Sequence, residues 1–440
     1  MVPSAADRAP HLDPHPPLPD NPAPTPSGGP HAPPPPAPPL SATTTLPPAE
    51  APTIDTEGYR TRHRAWLAAN LPARWRSDNP DYQSPMLEEA KAWEAELHRQ
   101  GLWGVAWPRD YGGHGLTLRE HMIANQEIGR LPMPESVNSI GKELAGPIIL
   151  AIATEEQKRR LIPAILEMRE IWCQGFSEPE AGSDLAGLRT RAVKDGAAWR
   201  VTGQKIWTSG AHRAQRCLLL ARTGTMESRH RGLSLFAVKL DQPGVTIKPI
   251  RQMDGNAEFN EVFFDNALVE PEDALGEQER GWAAAVRVLE VERGTNRIYR
   301  AWRLEEELRH LLTVCRTDPA LARIIENPHM VQRIAGVQVD IEVHKRMIEG
   351  VVEDLCAGTG IGGRGSLIKQ HWSDYHQRQA QLAVEILDGA SYPPSPAVAR
   401  AQQRFRTVYL RSRAETIYAG TTQIQLGIIA DRILKLPREG

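Results

Sequence analysis

Cysteine is scarce in this chain. Four occur in 440 residues, at 173, 217, 315 and 356, and none forms a CxxC pair. That excludes a disulfide framework or a cysteine-rich zinc site, and leaves reduced thiols in a cytoplasm as the expectation. Aromatic residues make up 6% and the formal net charge is −2. Without a basic surplus, nucleic acid is not expected as a main partner. Long apolar runs are missing too. A stretch such as 145–153 falls far short of the ~20 residues that cross a bilayer, so no membrane span is expected. The 14 histidines contain no HExxH grouping, and Pro14 separates His11 from His15. No metal site is expected from them. No internal repeat is seen. What remains is a chain long enough for a large core and more than one domain.

Proline is abundant in one place. The first 54 residues hold 19 of the 37 prolines, with almost no large apolar side chain. Such a segment cannot bury a core and is expected to stay extended and disordered. It lacks the basic start and apolar centre of a signal peptide. A polyproline docking segment, a passive tail and an over-called start codon are the readings that its composition leaves open.

Behind this tail the hydrophobic pattern changes twice. Residues 55–170 read as a helical domain, with helix formers and apolar residues three to four apart in LEEAKAWEAEL at 87–97 and a loop at WPRDYGG, 107–113. Residues 171–280 read as strands, including LSLFAVKL at 233–240 and VTIKPI at 245–250, with turns at Asp195-Gly196 and Pro243-Gly244. A β-barrel or sandwich is expected there. Residues 281–440 return to helix, with runs at 282–312, 331–355, 366–387 and 401–418 that fit an antiparallel four-helix bundle. The fold class is α+β, mostly α.

Two clusters in the middle region stand out. Residues 175–190 read GFSEPEAGSDLAGLRT, and 207–210 read WTSG after the strand-like run WRVTGQKI. Gly182 and Gly187 carry no Cβ, so backbone N–H groups can approach an oxygen-rich ligand there. On composition alone a plain surface turn is the favoured reading. Taken in order and at this spacing, SEPEAGSD and GQKIWTS resemble the two flavin-contacting signatures of the acyl-CoA dehydrogenase family. The resemblance covers about residues 60–436. It implies a helical N-terminal domain, a β-barrel and a four-helix bundle. It also implies FAD as cofactor and conversion of an acyl thioester, on CoA or a carrier protein, to the trans-2-enoyl thioester. Electron-transferring flavoprotein is the implied oxidant and a homotetramer or homodimer the implied assembly.

On that resemblance, Gln174, Phe176, Ser177, Gly182, Ser183, Trp207 and Ser209 fall on flavin-contacting positions. Phe176 and Ser177 would meet the pyrimidine edge and Trp207 the ring, while Ser183 would also lie near the phosphopantetheine or pyrophosphate of the substrate. Arg316 survives from a stretch that reaches a neighbouring subunit's flavin, although its usual Phe-Gly is lost. Glu385 and Gly389 occupy a nucleotide-contacting stretch in which Glu385 replaces the usual glutamine. A carboxylate there is expected to weaken nucleotide contacts unless a cation compensates.

The family commonly takes its catalytic base from a Tyr-Glu-Gly-Thr stretch. Here 417–425 reads IYAGTTQIQ, with Ala419 at the base position. Alanine takes no proton, but its backbone N–H can still donate to the thioester oxygen. Thr421 and Gln423 match flavin contacts, and Tyr418 and Gly420 would line the substrate. A minority of the family, the isovaleryl- and long-chain-type enzymes, places the base on a different helix, and Glu292 matches that position. Trp282, Ala285, Leu289, Glu292, Asn296 and Tyr299 recur at 3-4-3-4-3 spacing, which sets Glu292 on an apolar stripe. Burial there raises a carboxylate's pKa toward the range a base requires. Arg293 matches a position near the acyl-CoA, or serves as a structural ion pair. Two alternatives stay open: a base-less flavin-binding subunit of a heteromeric dehydrogenase, and a flavin monooxygenase or oxidase on the same fold.

Overall fold

The computed structural model of the chain describes residues 55–72, 75, 86–286 and 298–437. The proline-rich segment 1–54 and the candidate residues Glu292 and Arg293 lie outside them.

Helices α1 (Thr56–Asn70), α2 (Leu87–Arg99), α3 (Leu118–Gly129), α4 (Gly146–Ile152) and α5 (Glu155–Leu166) build the first region. Their starts are written locally. Thr117 with Glu120, and Thr154 with Gln157, form capping boxes that satisfy N–H groups at the first turns of α3 and α5. Gln157 also reaches out of its helix, donating to Ala274 O at 2.7 Å and Glu272 O at 3.0 Å. A cap residue thus also ties the helical region to the sheet. Asn138 makes a second tie, accepting Trp172 N–H at 2.9 Å and donating to Glu170 O at 3.0 Å.

Eight strands follow: β1 (Trp172–Gly175), β2 (Arg191–Asp195), β3 (Ala198–Lys205), β4 (Arg216–Arg222), β5 (Leu233–Lys239), β6 (Val245–Pro249), β7 (Asn260–Val269) and β8 (Ala274–Leu275). They form one sheet in the order β6-β7-β3-β2-β4-β5-β8, with β1 parallel to β4. Strand β4 reads RCLLLAR and is buried throughout. Alternation explains why. Cys217, Leu219 and Ala221 enter a core with Trp199, Phe236 and Val262, whereas Leu218 and Leu220 enter a second core with Ile149, Leu161 and Ile165 from the helices. A strand covered on both faces has no wet side to mark with polar residues.

The last region holds α6 (Arg300–Cys315), α7 (Pro319–Glu326), α8 (Pro328–Cys356), α9 (Arg364–Leu387), α10 (Pro396–Ser412) and α11 (Thr422–Ile428). Three of these helices open alike. Asp318-Pro319, Asn327-Pro328 and Ser395-Pro396 each place a capping side chain before a proline at the first helical position. Helix α9 packs against α8, α10 and α6. Two sequence expectations shift. The run expected as helix over 401–418 begins at Pro396, because the serine–proline cap starts it, and gives way to a 3-10 turn at 413–416. The run expected over 282–312 contains a turn at 298–299 before α6 begins.

Candidate functional site

The loop after β1 is held from beneath by a buried charge. The Glu178 carboxylate accepts the backbone N–H groups of Arg189 (2.6 Å) and Thr190 (2.9 Å) and pairs with Lys205 Nζ at 2.8 Å. Lys205, on β3, is fully buried and also donates to Phe176 O at 3.0 Å. Burial lowers the Lys205 pKa, a push that Glu178 opposes. Burial alone would raise the Glu178 carboxyl, yet Lys205 and the backbone donors hold it below its ordinary value. Ile206 N–H then donates to Ser177 O at 3.0 Å, so the two sequence clusters are joined directly. Arg222 adds a further stitch, donating to the carbonyls of Ala186, Leu188, Thr225 and Arg229.

On this base the outward residues are presented. Phe176 is buried, Gln174 and Ser177 are half-buried, and Gly182 and Ser183 are exposed. A Cβ built on Gly182 would meet nothing within 4 Å, so space lies open above it. Trp207 takes a left-handed backbone (φ 60°), stays 56% exposed and meets Phe259 edge-on at 6.0 Å. Its neighbour Thr208 is paired through the backbone with Asn260 in both directions, at 3.0 and 3.1 Å. Ser209 is half-buried, and Gly210 N–H donates to Glu258 O at 2.8 Å.

Glu258 connects this turn to the bundle. Its carboxylate lies 2.7 Å from Arg411, near the end of α10. The chain then runs through the 413–416 turn into Tyr418-Ala419-Gly420-Thr421. Ala419 has φ 54° and Gly420 φ 90°, two left-handed residues in succession. Such a conformation costs an alanine about 1–2 kcal/mol. Thr421 caps α11, accepting Ile424 N–H at 3.3 Å. Tyr418 is half-buried against Trp372, and Gln423 is exposed. Beneath the turn, His376 of α9 sits between Glu415 (2.7 Å) and Glu307 of α6 (3.2 Å), all three buried. Burial pushes the imidazole pKa down, but the Glu415 charge and the bonds to both carboxylates raise it to about 10.

The nucleotide-side candidates form a separate corner. The Asp318 carboxylate accepts Ser391 N–H (3.2 Å) and its hydroxyl (3.0 Å), bringing the turn that carries exposed Arg316 to the segment after Gly389. Glu385 carries the compensating cation: Arg333 donates to it at 2.5 Å and Gln381 at 2.9 Å. Sequence reasoning missed four side chains: the roles of Glu178, Lys205 and Gln425 within quoted motifs, and His376 altogether. Lys205 had a legible signal, the one cation of GQKIWTS, whereas Glu178 is one of three acids in SEPEAGSD and nothing local singles it out. His376 had none.

The surface of the cradle fits FAD. The bare indole of Trp207, the open side of Gly182, and the buried Thr208 hydroxyl with no hydrogen-bond partner among the described residues together suit a flat ligand with polar edges. Among the described residues no His/Cys/Asp/Glu group could hold a metal ion, and no helix is long and apolar enough to cross a membrane.

Comparison with known proteins agrees. The chain matches the acyl-CoA dehydrogenase N-terminal domain over residues 55–169, the middle domain over 173–267 and the C-terminal domain over 279–434. It is 37% identical over 391 residues to acyl-CoA dehydrogenase IpdE1 of Mycobacterium tuberculosis, covering 88% of this chain and 99% of that one. Among solved structures it resembles the Tcur3481-Tcur3483 steroid ACAD (TM-score 0.76, 25% identity, 87% and 98% of the two chains). It also resembles the ChsE4-ChsE5 complex from Mycobacterium tuberculosis (TM-score 0.74, 26% identity, 88% and 99%). The chain belongs to the acyl-CoA dehydrogenase family of FAD-dependent flavoenzymes.

Proposed function

We propose that this chain converts an acyl-CoA thioester to the trans-2-enoyl thioester, with Glu292 as the base. The observation that carries the reading is the left-handed turn at Ala419-Gly420, linked through Arg411, Glu258 and Gly210 to the Trp207 turn. That link supports one site assembled from the β cradle and the C-terminal loop. Phe176, Ser177, Ser183, Trp207 and Ser209 would hold the flavin ring, Thr421 and Gln423 its middle, and Arg316, Glu385 and Gly389 the nucleotide end. FAD, when bound, would accept the hydride that leaves the β-carbon. The chain supplies the rest. Glu292 removes the α-proton, and Ala419 N–H donates to the thioester oxygen as negative charge develops there. Losing one such donor costs about 3 kcal/mol of barrier lowering. Ala419 cannot compete as a base, which leaves proton removal to a residue elsewhere.

The acyl group proposed is bulky and ring-bearing, on the strength of the steroid-ACAD likeness. The domain limits proposed are 55–170, 171–280 and 281–440, in a cytoplasmic enzyme that passes electrons to an electron-transferring flavoprotein. A second reading has specific support. The alanine at 419 and the likeness to a two-protein complex favour a heteromer in which a homologous partner completes the site.

The test is an anaerobic panel of acyl-CoAs, ring-bearing ones included, added to the yellow holoprotein. Bleaching of the flavin supports dehydrogenation. No bleaching by any thioester, with rapid NAD(P)H-dependent oxygen uptake, supports monooxygenation instead. Bleaching only after addition of a second homologous chain supports the heteromer. Glu292→Gln should keep FAD and thioester binding and lose reduction; full activity in that variant sinks the base assignment.

A further inference from the structure

The Ala419-Gly420 turn is gripped by one side chain. Gln425, on α11, is fully buried. Its Nε2 donates to Ala419 O at 2.8 Å and to Gly420 O at 3.4 Å. The contact is close enough that a Cβ on Gly420 would stand 2.3 Å from that nitrogen. The other end of the same amide is unsatisfied: Gln425 Oε1 is buried with no hydrogen-bond partner among the described residues. A buried acceptor left without a donor reduces stability, and so does an alanine in the left-handed region. Two local costs therefore coincide within seven residues. An apolar side chain of the same volume would remove the first and would leave the turn free to relax the second.

A carbonyl fixed by a buried donor fixes its peptide plane, because that plane is rigid. The held carbonyls lie in the 419–420 and 420–421 peptides, so φ and ψ of Gly420 are restrained directly. The Ala419 N–H lies one peptide upstream, and its direction is bounded by the held 419 carbonyl on one side and by Tyr418 N–H, which donates to Ala414 O at 3.0 Å, on the other. Thr421 restrains the far side of the turn by capping α11. Glu415, bonded to His376, restrains the near side.

We propose that Gln425 is a positioning residue for the oxidation, its amide holding the left-handed turn that aims the Ala419 N–H at the thioester oxygen. This rests on the reading of Ala419 as the oxyanion donor. The side chain touches neither substrate nor cofactor in this account. Its effect travels through two carbonyl oxygens.

The experiment compares full-length holoprotein with Gln425→Leu and Gln425→Glu. Three things are read: FAD content, amide hydrogen exchange across 417–421, and the anaerobic rate of flavin bleaching by the acyl-CoA that bleaches the parent best. Gln425→Leu should keep its FAD, speed exchange at 417–421 at least about tenfold, and slow bleaching about 10–100-fold with little change in half-saturating thioester. In Gln425→Glu the carboxyl can donate to a carbonyl only while protonated. Its rate relative to the parent should therefore rise as pH falls while its FAD content stays constant, whereas a packing role would move the two together. Unchanged exchange in Gln425→Leu, or a rate equal to the parent's, overturns the proposal even where the parent bleaches normally. Loss of FAD in step with the rate overturns it as well, assigning Gln425 to packing. Failure of the parent to bleach with any thioester is a separate signal. It removes the dehydrogenase reading, and the donor role with it, whatever the exchange data show.

Discussion

The molecule holds two functional loops by opposite means. Under the flavin loop lies a full ion pair, Glu178 with Lys205, sealed beneath the sheet and bonded to three backbone groups. Under the 419–420 turn lies a neutral amide, with a charged triad one turn upstream. Under the proposed function, the difference follows from what each loop would have to do. A cofactor cradle keeps one shape throughout, and a buried ion pair gives a rigid anchor that is costly to break. A donor in a reacting site needs a set direction, and a single amide can impose that without adding charge beside a forming enolate.

Breaking the stronger anchor should have the largest effect. Lys205→Met leaves the Glu178 carboxylate buried without its cation and should lower stability by about 3–5 kcal/mol. Denaturant unfolding would show this, and the purified protein should be pale from lost flavin. Adding Glu178→Gln should recover part of the loss. If Lys205→Met unfolds at the parent's midpoint, the pair is not the anchor.

The triad should rank next. His376→Gln strands two buried carboxylates and should destabilise by about 3 kcal/mol. It should also change the pH dependence. His376 is raised to about 10 in the fold. Its contribution is therefore fully present below the unfolded value of about 6.5 and is lost as pH rises toward 10. Glu307 shifts the other way. Burial raises it, but the His376 hydrogen bond and charge pull it below its ordinary value. Its contribution is present above about pH 4.3 and is lost on acidification. Unfolding measured from pH 5 to 10 should show stability falling through the alkaline half in the parent, with that slope reduced in His376→Gln.

A smaller change probes the turn itself. Gly420→Ala adds a Cβ to a left-handed residue and pushes against Gln425. It should cost about 1–2 kcal/mol in thermal unfolding and slow flavin bleaching more than it weakens thioester binding. The smallest effect is expected at the nucleotide corner. Glu385→Gln removes a half-exposed pair with Arg333, worth at most about 1 kcal/mol. FAD affinity by titration should change less than about tenfold, since Arg333 already offsets the carboxylate.

Much of the architecture was legible in the chain. The short apolar run at 233–240, cap–proline pairs before three helices and capping boxes at Thr117 and Thr154 are local signals, and local structure obeys them. The cradle was legible as two motifs. That Ile206 donates to Ser177 was not, because a hydrogen bond between segments 29 positions apart leaves no trace in either. Gln425 lay in plain sight inside a quoted motif. Its role depends on the chain doubling back at Gly420, which only the folded turn reveals.

The sequence by itself determined the order of helical, β and helical regions, and it carries the two motifs and the alanine at 419 on which the family resemblance rests. Each of these is a property of residue type and near spacing. Tertiary structure decided which side chains hold the loops. Lys205, His376 and Gln425 act through partners 27, 39 and 6 positions away, brought within bonding distance by packing. Hydrophobic periodicity carries no information about such polar pairings. Their energy comes from burial, and burial exists only once the sheet and bundle have closed around them.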